Sequence, residues 1–136
     1  MVPMSEIKVP VSPGEMLDKI TILRIKSARM SDPLKLRNVR IELDALQQTW
    51  GASVYAQADI AADEAALLAV NERLWVIEDD IREKERAQAF DARFIELARA
   101  VYFENDARAA IKRRVNIRLG SGLVEEKSYS NYKKTP

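Results

Sequence analysis

The sequence predicts an all-α protein, a four-helix bundle-like pair of antiparallel helix hairpins. Three observations carry this. Ser12-Pro13-Gly14-Glu15 is a helix start signal, apolar residues recur at spacings of three and four in three later stretches, and Pro33, Gly51 and Gly120 punctuate the stripes. The whole chain, 1–136, is expected to be a single helical domain, with residues 1–6 and 130–136 frayed.

The first helix is placed at 13–30. Ser12 is its N-cap, Pro13 takes the first helical position, and Glu15 stands where a capping box wants a carboxylate. Met16, Leu17, Ile20, Leu23 and Met30 form its apolar face. Glu15 and Lys19 are spaced for a surface pair one turn apart. Ser31-Asp32-Pro33 then breaks the pattern, and the Asp32 carboxylate is placed to cap a second helix over 33–50. Leu36, Val39, Leu43, Leu46 and Trp50 are its stripe. Gly51 stands where a left-handed terminating residue is wanted.

The third helix is expected near 60–88, starting at about Asp59 or Asp63, with a seam of Leu67, Val70, Leu74, Ile77 and Ile81. Phe90-Asp91 marks the turn, with Asp91 as a cap, and the fourth helix runs over 92–119 to Gly120. Each of these two helices is roughly 40 Å long. Up-down-up-down order brings the end of the fourth helix beside the start of the first. The extended segments 7–11 and 123–129 are then placed to pair as a short two-stranded ribbon leaning on the bundle.

Composition excludes several chemistries. The chain has 136 residues, 47% apolar and 32% charged, with a net charge of +1. It contains no Cys and no His, so disulfides, thiolate catalysis, Cys/His zinc sites and His-dependent acid–base schemes have no residues to work with. Its four glycines form neither a P-loop nor a dinucleotide fingerprint. The start lacks a basic or apolar leader and no run is long enough for a membrane span, so a cytoplasmic protein is expected.

Four segments resemble a family of small bacterial helical proteins catalogued only as a domain of unknown function. They are Ser12 to Leu23, Trp75 to Arg82, Leu97 to Tyr102 and Val124 to Tyr129. The resemblance spans about residues 7–129. It implies a bacterial, cytoplasmic, helical protein and brings no reaction, cofactor or catalytic residue with it.

Polar groups interrupt the apolar seams of the third and fourth helices. For a hairpin turning near residue 90, facing positions have numbers summing to about 180. Asn71 then faces the turn from Arg108 to Lys112, Trp75 faces Asn105, and Glu78 faces Tyr102. Two readings follow. A polar layer fixes register between helices. Alternatively, Asn71, Trp75, Glu78, Tyr102, Asn105, Arg108 and Lys112 line a site for an anionic metabolite, a carboxylate or a phosphate. Glu78, Asp79, Asp80, Glu83 and Glu85 read as a solvated acidic face, with no metal site. Arg108, Lys112, Arg113, Arg114 and Arg118 complement the negative end of the helix dipole, or else meet nucleic acid or a membrane surface. The near-neutral chain makes nucleic acid the weaker partner.

The expected function is therefore a non-enzymatic interaction or scaffold module acting as a homodimer. The long third and fourth helices outrun the shorter pair and need another cover. The alternatives are a binder of, or small enzyme acting on, an anionic metabolite, and a nucleic-acid or membrane-surface binder. No cofactor, metal or catalytic residue is expected.

Overall fold

A computed structural model describes residues 5–132. The four helices are α1 (Pro13–Arg29), α2 (Pro33–Gly51), α3 (Ala61–Arg86) and α4 (Ala92–Arg118). About 70% of the described residues are helical, and no strand occurs among them. The two-stranded ribbon expected from 7–11 and 123–129 does not form. Residues 7–11 lie beside the start of α1 as coil, while the segment after Gly120 folds back along α4 through its side chains. The expected fraying at 1–4 and 133–136 lies outside the described residues.

Local chemistry sets the helix ends. Ser12 Oγ accepts from the Glu15 amide at 3.1 Å. The reciprocal half of the capping box is replaced, because the Glu15 carboxylate is 2.6 Å from Lys112 of α4 and 3.7 Å from Lys19. Asp32 caps α2 by accepting from the amides of Leu34 and Lys35. Asp91 caps α4 by accepting from the Phe94 amide. Gly51 is not left-handed: it is the last residue of α2, and Ala52 follows with φ −92°. The left-handed residues among those described are Gln88, after α3, and Gly120, after α4.

The helices are not packed evenly. α1, α3 and α4 all contact one another, whereas α2 contacts α1 alone. Trp50, near the end of α2, shares a small cavity with Leu17 and Ile20 of α1, so these two helices run antiparallel. α3 lies parallel to α1, with Arg24 on Glu64 and Arg29 on Glu72. α4 returns antiparallel to both. Arg73 pairs with Glu104, and Lys84 with Asp91, along the α3–α4 hairpin. Leu17, Leu67, Val70, Leu74, Ile111 and Val115 form the buried core.

Burial fades toward the α3–α4 turn. Leu67 and Val70 are buried, but Ile77 and Ile81 of the same seam are only half-buried. α1 ends at Arg29, beside Glu72, and its Lys26 reaches the level of Asp79. Beyond that, α3 continues for about two turns, roughly 10 Å, as a two-helix arm with α4. On α2 the apolar stripe is real, yet Val39 is its one buried residue.

Candidate functional site

The polar layer exists, and its centre is a residue of the first helix. Asp18 of α1 is completely buried, as is Thr21 one turn later. Asp18 Oδ1 accepts from Asn71 Nδ2 of α3 and from Arg108 Nε of α4, each at 2.9 Å. Its Oδ2 accepts from Arg108 Nη2 at 2.5 Å, which makes the Arg108 pair bidentate. Asn71 Nδ2 also donates to Thr21 Oγ1 at 3.0 Å, and Thr21 donates to the Asp18 carbonyl at 2.7 Å. Lys112 lies 3.9 Å from Asp18. The Asp18 hydrogen bonds raise the Arg108 guanidinium above its ordinary value against the opposing effect of burial. Among the described residues, no buried side-chain nitrogen or oxygen lacks a partner.

This geometry corrects the expected pairing. Asn71 and Arg108 converge as foreseen, but on Asp18 rather than on each other. The spacing rule for α3 and α4 holds, as Arg73–Glu104 shows. It missed that a third helix enters between them. Gly14 makes that entry possible. Its amide donates to the buried Asn116 Oδ1 at 2.7 Å. A Cβ built there would lie 2.5 Å from the Lys112 carbonyl oxygen and 2.8 Å from Asn116 Oδ1, so α1 and α4 can approach this closely only at a glycine.

The other expected site residues divide between two clefts that share Asn105 and Arg108. One, of ≈ 410 Å³, has a floor of Ile22, Ile25, Leu74 and Trp75, and its rim includes Glu78, Asp79 and Lys26. The other, of ≈ 550 Å³, holds Tyr102, Lys112 and Lys127 with Glu15, Asp106 and Glu125. Glu78 and Tyr102, expected to face each other, therefore line different clefts. The second is bordered on one side by the chain after Gly120. Glu125 lies 3.3 Å from Lys112, and Glu126 lies 3.0 Å from Arg113. The Tyr132 ring packs edge-on against Tyr102 and Phe103, and its hydroxyl donates to Asp106. That hydrogen bond, with burial second, pushes the Tyr132 hydroxyl up to about 12.

The basic end of α4 is matched by carboxylates. Asp63 is 6% exposed and accepts two hydrogen bonds from Arg114 and two from Arg118. Burial pushes the Asp63 carboxyl up, but these bonds, Arg118 first, outweigh it and hold the group below its ordinary value. Arg113 has Glu126, and Lys112 has Glu15 and Glu125. All five cations of the cluster, Arg108 included, thus have a carboxylate partner. In the acidic stretch, Glu78 pairs with Arg82, and Glu83 with Arg86. No group of three or more potential ligands among the described residues is placed to hold a metal ion.

Comparison with protein-family models, curated proteins and solved structures finds no match to the chain. No helix of the described residues is long and apolar enough to cross a membrane.

Proposed function

We propose that this chain is a non-enzymatic interaction module that acts as a homodimer. The observation that carries the reading is the uneven packing. α2 covers only α1, and the α3–α4 arm outruns both, so apolar positions on three helices face solvent in a single copy. Val76 of α3, Phe90 in the α3–α4 turn and Ile95 of α4 are 44%, 55% and 56% exposed. Leu34 and Ile41 on α2 are 73% and 56% exposed. A second copy is an economical cover for such a surface. The resemblance of the four sequence segments supports a bacterial, cytoplasmic setting.

The buried ionic groups support a structural role for the polar layer. Asp18 is held by Arg108 and Asn71, and Asp63 by two arginines, so these carboxylates are engaged in joining helices. An anion site in the larger cleft has less support, since Arg108, Lys112 and Lys127 each carry a carboxylate already. The test is sedimentation equilibrium of the full chain at micromolar concentration. The expected result is a dimer whose interface buries more than roughly 1,000 Å² in total. A monomer throughout the accessible range would reject the reading.

A further inference from the structure

The homodimer leaves open which surfaces meet, and two exposed surfaces that combine apolar side chains with unpaired charge are the candidates. On α2, Leu34, Arg37 and Ile41 lie on the side away from Val39 and α1, one or two turns apart. Among the described residues Lys35, Arg37 and Arg40 have no carboxylate partner, and α2 is the one helix in which no cation is paired. Elsewhere most cations are matched, even at exposed positions such as Arg82 and Arg86, the exceptions among the described residues being Lys8, Lys26 and Arg99. A helix face that displays two aliphatic side chains and two arginines, with Asp44 one turn beyond Arg40 but in no ion pair, is left without a partner among the described residues.

The complementary surface is on α3. Val76 is exposed on the outer side of α3 just before the arm, with Asp79 and Asp80 one turn on. Asp79 has no cation partner among the described residues, and Asp80 has only Arg93, at 4.0 Å. Beside them opens the ≈ 410 Å³ cleft with its apolar floor of Ile22, Ile25, Leu74 and Trp75, and Asp79 sits on the rim. α2 does not contact α3 within one chain. The aliphatic face of α2 with its two arginines and the apolar cleft, whose rim carries Glu78 and Asp79 with Lys26, can therefore meet only between copies.

We propose that α2 of one copy docks along the α3 arm of a second copy, with Leu34 and Ile41 directed at the cleft and Arg37 and Arg40 opposite Asp79 and Asp80. A two-fold axis repeats this contact, so each dimer contains it twice. The proposal rests on the homodimer reading and names its surface. Glu42 and Asp44 follow on the next turn of α2, which fits a protein face of mixed charge better than an anionic lipid surface.

The test is charge exchange in the full chain, read by sedimentation equilibrium with circular dichroism as the control for folding. Arg37→Glu/Arg40→Glu should weaken the dimer by about tenfold or more in Kd, and Asp79→Arg/Asp80→Arg should do the same. All four positions are exposed, so helix content should hold in both variants. The chain carrying all four substitutions should dimerise again, because each interface regains opposite charges. A parent that is monomeric, or that binds anionic vesicles through α2 instead of dimerising, overturns the homodimer reading and this proposal with it. A dimeric parent whose two reversed variants dimerise as tightly as it does overturns the surface alone and leaves the homodimer standing.

Discussion

Replacing Arg108 by alanine would leave the Asp18 carboxylate sealed in the helix seam with Asn71 as its one side-chain hydrogen-bond donor and Lys112 at 3.9 Å. Stranding one member of a buried pair costs about 3–5 kcal/mol. Arg108 is 28% exposed, so water can enter where its side chain was removed, and a loss of about 3 kcal/mol is expected. Arg108→Met should do no better, because the charge it abandons is still there. Asp18→Asn combined with Arg108→Met should recover most of the loss, since no buried charge then remains. Urea melts at a constant m-value would measure all three. An Arg108→Ala protein as stable as the parent would show that Asp18 does not depend on its guanidinium. The same logic explains what was legible at this scale. Asn71 and Arg108 stood out because each breaks an apolar stripe. Asp18 did not, because in Ser-Pro-Gly-Glu-Met-Leu-Asp-Lys it reads as an ordinary charged residue near a helix start. Gly14 was hidden in the same way: the motif accounts for it as part of a cap, and only the approach of α4 gives it a packing role.

Among the elements, α3 and α4 are joined at their far ends by Asp63, whose carboxylate takes both Arg114 and Arg118. The folded state holds this group below the ordinary value of 3.8, so it binds the proton less tightly than the unfolded chain does. Its contribution is complete above that pH and disappears as the pH falls through the lower folded value. Asp63→Asn should accordingly destabilise the protein by about 1–3 kcal/mol at neutral pH, with the difference from the parent shrinking below about pH 4. Thermal melts of both proteins from neutral to strongly acidic pH would check this. A difference that stays constant into strong acid would mean that the ion pair is not its source. Helix positions were legible because capping and stripe signals are local: the four expected spans agree with the observed ones to within two residues at each end. The partners of the five α4 cations were not, because a charged face looks the same in sequence whether water or a distant carboxylate meets it. Gly51 failed for a related reason. A glycine after a stripe permits a left-handed turn but does not require one, and α2 ends without it.

For the molecule as a whole, the arrangement is a three-helix core with one helix set outside it and one two-helix arm extending from it. Stability should divide along the same lines, because cooperative units follow buried contacts. In dilute solution the amides of α2, which has Val39 as its one buried residue, should exchange by a local opening well before those around Leu67, Val70 and Val115. Raising the protein concentration should slow exchange in α2 and along the outer turns of α3 together, because the proposed second copy would cover both, and should leave the fully buried core turns at their global rate. Hydrogen exchange followed by mass spectrometry at two concentrations separates these cases. Uniform slowing over every helix would indicate a dimer that unfolds as a single unit. Slow, concentration-independent exchange in α2 would mean that its contact with α1 alone is sufficient, and the exposed aliphatic face would then have no energetic reason to seek a partner.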